Sequence, residues 1–158
     1  MKQLPQNLKA LLQDIGEGSV LLRVSMLLAA KKKGWKVYRS YTEDSCDIVA
    51  RKTHGKPPLG YRKELRLEVK SRQNLVTERE GHQMHFLLSK AEYESCHFLV
   101  GYWFERGDYF IVPKSRLKPA THAKKSFRFI ANVLKTGKYN KESEKYRNRW
   151  DRLLSVVK

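Results

Sequence analysis

Cysteine is scarce in this chain of 158 residues: Cys46 and Cys96 are the only two. That is too few for the disulfide framework of a small secreted domain or for a cysteine-rich zinc site. Acidic side chains are also scarce, 16 against 33 basic ones. No apolar run approaches the roughly 20 residues a membrane helix requires, and residues 1–14 lack the charged-then-apolar layout of a signal peptide. A soluble, intracellular protein with no membrane partner is expected. There is no glycine-rich phosphate loop, which argues against nucleotide hydrolysis. Nor is there a serine elbow to support Ser/His/Asp chemistry. His82, His85, Cys96 and His97 match no common zinc spacing.

The chain does have enough apolar material for a core, 41% of its residues. At this length one domain is expected over residues 1–158. Its core would span about 15–113, with a basic C-terminal extension over about 114–158. The formal net charge is +17. Positive charge on that scale suits a polyanion, because neutralising phosphates releases condensed counterions. The charge is uneven: residues 1–113 carry 19 basic and 13 acidic side chains, and residues 114–158 carry 14 and 3.

Val20, Leu21, Val24, Leu27 and Leu28 recur at helical spacing and predict a helix over about 17–33. Lys31 to Lys33 followed by Gly34 would end it. Glu17 lies one turn before Val20 and Leu21, on the line of that stripe, so an acid there points inward. Strands are predicted at 36–41, 46–51 and 64–71. A short helix over 90–95, capped by Ser89, comes next. Strands at 97–104 and 108–112 are joined by a turn at Glu105-Arg106-Gly107. A last helix is predicted over 141–157, capped by Asn140, with Tyr146, Trp150, Leu153, Leu154 and Val157 as its apolar stripe. The expected fold class is α/β: a mixed central β-sheet flanked by helices, with a basic helical C-terminal extension.

The strand at 64–71 carries the chemistry. Leu65, Leu67 and Val69 fall on one face, and Arg66, Glu68 and Lys70 on the other. An acid and an amine are thereby held side by side on a rigid element. Asp47 sits on another predicted strand, where Asp is disfavoured and asks for a reason. If the two strands pair, Asp47 and Glu68 converge. Two carboxylates and a nearby backbone carbonyl suit a hard cation such as Mg²⁺, which can polarise a phosphodiester and activate water. Lys70 can stabilise developing negative charge. The triplet Glu68-Val69-Lys70 is the only acid-x-Lys in the chain.

Asp47-Ile48-Val49-Ala50 followed by Leu67-Glu68-Val69-Lys70-Ser71-Arg72 resembles the signature of the PD-(D/E)xK, or restriction-endonuclease-like, nuclease superfamily. Gly16-Glu17-Gly18 opening a helix, then Lys33-Gly34-Trp35-Lys36-Val37, is similar to the usual start of that fold. The proline that often precedes the Asp is Cys46 here. The resemblance covers roughly residues 17–113 and implies divalent-metal hydrolysis of DNA with Mg²⁺, for which Mn²⁺ can substitute. It implies that Asp47, Glu68 and the carbonyl of Val69 hold the metal. Lys70 would be the catalytic lysine and Glu17 the helix acid of the site. The size and the late strand pair also resemble small homing endonucleases and Holliday-junction resolvases.

Arg72, Lys138, Lys141, Lys145, Arg149 and Arg152 are the candidate nucleic-acid contacts. Phosphate contacts of this kind fix position and carry no sequence information. Phe127 and Phe129, interleaved with Lys125 and Arg128, are candidate stacking platforms. One active centre cuts one strand, so a homodimer or higher symmetric oligomer is expected. Two other functions use the same basic surface without catalysis: a nucleic-acid-binding module and a structural protein of a nucleoprotein particle. The acid pair discriminates, because Asp47 and Glu68 on one face would repel phosphate unless a cation lies between.

Overall fold

The computed structural model describes residues 5–31, 34–40, 46–52, 64–73, 83–120 and 125–157. A long helix α1 (Gln6–Lys31) is followed by strands β1 (Trp35–Arg39), β2 (Ile48–Lys52), β3 (Glu64–Arg72) and β4 (Gln83–Ser89). A short helix α2 (Lys90–Ser95) leads into β5 (Phe98–Trp103) and β6 (Asp108–Pro113). Strands β7 (Lys118–Pro119) and β8 (Ser126–Asn132) and helices α3 (Lys141–Glu144) and α4 (Asp151–Val156) complete the order. Among the described residues no helix is long and apolar enough to cross a membrane.

Five strands form a mixed sheet in the order β1-β2-β3-β5-β6. β3 and β5 run parallel, and the other neighbours run antiparallel. This is the mixed sheet with flanking helices that the sequence predicts. Its two faces are covered differently. On one, Ile48, Ala50, Leu65, Leu67 and Val69 pack with Val20, Val24 and Leu28 of α1 and with Leu153 and Val157. On the other, Val49, Leu99, Phe110 and Val112 pack with Met84, Phe86, Leu88, Phe129 and Ala131. Full burial stabilises each large apolar side chain by about 1.5–3 kcal/mol, so both faces need a cover.

The second cover is a three-stranded sheet ordered β4-β8-β7, which the sequence pattern does not assign. β4 alternates cleanly, with Met84, Phe86 and Leu88 buried. Its partner β8 lies about forty residues further on, so no local hairpin signal marks the pair. The aromatics of β8 are therefore not exposed stacking platforms. Phe129 is buried, and Phe127 stacks on Tyr93 with ring centroids 3.7 Å apart.

Two helix boundaries also differ from expectation. α1 begins at Gln6, not near Glu17. Gly16 and Gly18 weaken the helical pattern locally, but the buried line Leu12, Gly16, Val20, Val24, Leu28 runs straight through them. The helix predicted over 141–157 divides into α3 and α4, so the basic extension holds strands as well as helices. Asn140 caps α3 as expected, accepting from the Ser143 amide at 2.8 Å. The break lies at Asn148, whose φ is 52°. Its N–H donates to the Tyr109 carbonyl at 2.6 Å, and its Oδ1 accepts from the Tyr109 N–H at 3.0 Å. The segment thereby satisfies the free edge of β6, which a continuous helix could not do.

Gly101 sets the spacing between the sheets. A Cβ there would lie 2.9 Å from the Phe86 ring. Gly101→Ala should destabilise the fold by about 1–3 kcal/mol through overpacking, and the double change with Phe86→Leu should recover part of that. Urea denaturation measures both; an unchanged midpoint for Gly101→Ala would contradict this packing.

Candidate active site

The site is built where the sheet loses a strand. β2 begins at Ile48, which pairs with Leu67. Extending that antiparallel register by one step sets Asp47 opposite Glu68 on one face of the sheet. Asp47 thus lies immediately before the strand and not within it. Beyond Leu67, β3 has no ladder partner on this side among the described residues. A backbone edge near a core must still be satisfied, and side chains do so. The Val69 N–H donates to Asp47 Oδ2 at 2.7 Å. The Val69 carbonyl accepts from Gln13 Nε2 at 2.8 Å. The Ser71 N–H donates to Gln13 Oε1 at 3.1 Å, and the Ser71 carbonyl accepts from Arg72 at 3.1 Å.

Glu68 is only 3% exposed. Lys70 Nζ lies 2.7 Å from Glu68 Oε1 and 2.7 Å from Glu92 Oε1. Glu92 is held in turn by the capping box of α2: its carboxylate accepts from the Ser89 N–H at 2.7 Å, and Ser89 Oγ accepts from its N–H at 3.2 Å. Burial, with Asp47 nearby, pushes the Glu68 carboxyl well above the ordinary range. Asp47 is also raised, by burial first, despite the opposing hydrogen bond from Val69. Burial alone would lower the Lys70 ammonium, but Glu68 and Glu92 overrule it and hold the pKa above the ordinary value. The lysine therefore stays a cation at neutral pH.

Glu17 faces the same edge from α1. It accepts from Gln13 Nε2 at 2.8 Å and from Arg39 at 2.9 and 2.7 Å. Arg39 also bonds Asp14 at 2.7 Å. The sequence-predicted residues Asp47, Glu68, Val69, Lys70 and Glu17 are thus brought to one end of the sheet. Among the described residues, no group of three or more His, Cys, Asp or Glu side chains is arranged to hold a metal. The donor set is two carboxylates plus the Val69 carbonyl, whose second lone pair is not used by Gln13. Two buried acids whose pKa values burial raises, Glu68 further by the charge of Asp47, joined by an oxygen of the main chain, fit a hard divalent cation.

The basic candidates are dispersed. Arg72 is half-buried at the end of β3, and burial lowers its guanidinium pKa. Arg149 makes a paired bond to Asp151 at 2.9 and 2.8 Å. Arg152 lies over the Tyr146 ring at 5.0 Å and donates to the Lys145 carbonyl at 3.1 Å. Lys138, Lys141 and Lys145 are exposed, and no ion pair engages them among the described residues. No bond links any of these five C-terminal residues to the acidic centre among the described residues.

Three site residues are not anticipated by the sequence pattern. Gln13 lies four residues before Glu17, outside a helix expected to start at Glu17. Arg39 lies on a correctly expected strand, with nothing to mark its partner. Glu92 is legible as the third residue after the cap Ser89, but its reach to Lys70 depends on the β3–β5 pairing. Of the two cysteines, burial pushes Cys46 up to about 11 and Cys96 up to about 12; both are inert thiols in the core.

The fold has counterparts among solved structures. The structure of a bacterial homing endonuclease, I-Ssp6803I, matches with a TM-score of 0.58 at 16% identity, over 94% of this chain and 94% of that one. That of Hjc, a Holliday junction resolvase from Archaeoglobus fulgidus, matches with a TM-score of 0.42 at 20% identity, over 72% of this chain and 83% of that one. No protein-family model and no curated protein matches the chain significantly. The fold is restriction-endonuclease-like, as the sequence signature implies.

The raised carboxyls fix a pH dependence. Asp47 at about 6 and Glu68 at about 8 in the folded chain lie above their unfolded values near 4. Their stabilising contribution is therefore complete below about pH 4 and is lost as pH rises through 6 and 8. Without divalent metal, Glu68→Gln should be more stable than the parent at pH 8, on the order of 1–3 kcal/mol, and close to it at pH 5. Urea titrations in chelator at both pH values test this; equal stability at pH 8 would refute it.

Proposed function

We propose that the protein is a divalent-metal-dependent DNA endonuclease that hydrolyses phosphodiester bonds at the centre formed by Asp47, Glu68 and Lys70. The observation that carries this reading is the register of β2 on β3. It places Asp47 opposite Glu68, with Lys70 Nζ 2.7 Å from the Glu68 carboxylate. A structural ion pair needs one acid for one lysine. Here two acids contact one lysine in a chain of net charge +17, a third, Asp47, lies opposite Glu68, and Asp47 and Glu68 are carboxyls of raised pKa. Such a cluster makes sense if a cation joins it.

Asp47, Glu68 and the Val69 carbonyl would hold Mg²⁺ or Mn²⁺. The ion supplies Lewis-acid activation of the phosphodiester and of the attacking water. Lys70 remains protonated, so its role is electrostatic: the ammonium stabilises negative charge developing on the phosphate. Glu92 keeps that ammonium in place. Glu17, engaged by Arg39 and Gln13, anchors α1 against the centre. Lys138 and Lys141 are free to meet the DNA backbone, whereas Lys145, over the Tyr146 ring at 5.7 Å, and Arg149 and Arg152 are engaged within the chain. Cleavage of both strands uses two such centres, and so a homodimer or larger symmetric assembly.

The purified protein should nick or cut DNA with Mg²⁺ or Mn²⁺ and not in chelator. Lys70→Ala and Asp47→Ala should each reduce cutting at least about 100-fold while still binding DNA. If both variants cut like the parent, the assignment is wrong. Duplex, single-strand, flap and four-way-junction DNAs presented in parallel decide between a site-specific endonuclease and a junction resolvase.

The basic surface makes a separate prediction. Replacing Lys138 and Lys141 together with Ala should flatten the dependence of log affinity on log salt by about one for each phosphate no longer neutralised. Arg149→Ala should leave that slope unchanged. Filter binding from low to moderate salt measures both, and equal slopes for the parent and the double variant would remove these lysines from the interface.

A further inference from the structure

The side chain of Gln13 occupies the position of a missing strand. In a parallel ladder, one residue of the neighbouring strand donates its N–H to a carbonyl and accepts with its own carbonyl from an N–H two residues on. Gln13 does this with its amide: Nε2 donates to the Val69 carbonyl at 2.8 Å and Oε1 accepts from the Ser71 N–H at 3.1 Å. Its remaining N–H donates to Glu17 Oε1 at 2.8 Å. Both donors and one acceptor are used, and only one amide orientation satisfies all three bonds. The partners are the carbonyl next to Glu68, the amide next to Lys70, and the helix acid. Resting on the metal-centre reading above, we propose that Gln13 is a positioning residue. It holds the Val69 carbonyl and Glu17 in one fixed geometry and so sets the affinity of the centre for its divalent ion.

The physical argument is one of preorganisation. Without Gln13, the Val69 carbonyl and Ser71 N–H would turn to water, and β3 could flex between its residues Glu68 and Lys70. The carbonyl dipole would then point at the cation only part of the time. Outer-shell partners of metal ligands are worth about 10–100-fold in affinity or activity. Glutamate in place of glutamine has the same length and can still accept from Ser71. As a carboxylate it cannot donate to Val69 or Glu17, and it repels both.

The test uses the full chain and Mn²⁺ alone, without DNA. Gln13→Met preserves packing and removes all three bonds; Gln13→Glu preserves only the bond to Ser71. Calorimetric or spin-resonance titration, well below each variant's melting temperature, should show Mn²⁺ binding about 10–100-fold weaker for both. Hydrogen exchange in chelator gives a metal-independent readout. The Ser71 amide should exchange faster in Gln13→Met and stay protected in Gln13→Glu at neutral pH. Parental Mn²⁺ affinity in both variants, or a Ser71 amide equally protected in Gln13→Met, would overturn the role of Gln13. If the parent itself binds no Mn²⁺, the metal-centre reading fails and the inference falls with it. If the parent binds Mn²⁺ and only the variants are indistinguishable from it, that reading stands and the inference alone is lost.

Discussion

The interrupted pairing of β3 is the constraint on which the site depends. Among the described residues, one side of β3 keeps its parallel neighbour β5 through Arg72, while the other loses β2 after Leu67. A strand left half-paired beside an apolar core must have its N–H and C=O groups satisfied, at a cost of about 1–3 kcal/mol for each that is not. Here the compensation comes from Asp47, Gln13 and Arg72, not from backbone. That substitution is what gathers polar side chains at one end of an otherwise apolar sheet. Where the ladder is intact, as at Leu65 and Leu67, the residues are fully buried hydrophobics.

The charge arrangement follows from that gathering. Glu68 and Glu92 contact one lysine and Asp47 lies opposite Glu68, while the rest of the chain is strongly basic. Burial raises Asp47 and Glu68, with Glu17 and Glu92 adding to the first and Asp47 to the second, whereas Glu92 is lowered, its burial outweighed by the Lys70 and Ser89 bonds. Glu68 and Glu92 share the lysine, each 2.7 Å from its ammonium, while Asp47 is held by the Val69 N–H. The direction of the pKa shift separates the two acids of the β2–β3 register from the acid on α2, although all three are carboxylates within one cluster. It also means that α2, a helix of six residues, reports directly on the lysine through its own cap.

Much of this is legible in the sequence. The strands holding Glu68, Lys70 and Val49, the hairpin closed by Gly107, and the caps Ser89 and Asn140 are all local signals that tertiary contacts do not override. The convergence of Asp47 on Glu68 follows from a single pairing assumption. What is not legible depends on contacts distant in sequence. β4 and β8 form a layer only because the second face of the main sheet needs a cover. Asn148 breaks a helical pattern in order to satisfy the edge of β6, a requirement invisible within residues 141–157. Gln13 escapes notice because glycines at 16 and 18 argue for a late helix start.

The first of those glycines, Gly16, explains how a helix can serve a sheet at atomic range. A Cβ at position 16 would overlap Ser71 Oγ and lie 3.0 Å from Ser71 Cβ, so any side chain there would push α1 away from β3. Gly16 sits between Gln13 and Glu17 on the helix surface that faces the open edge. The amide of Gln13 is short, and its three bonds at 2.8 to 3.1 Å leave no room for an extra methyl's width of separation. Propensity alone places Gly about 1 kcal/mol below Ala in a helix; at this position the loss is offset by close approach. The residue that weakens the helix locally is therefore the one that lets the helix complete the strand, and through the strand, the centre.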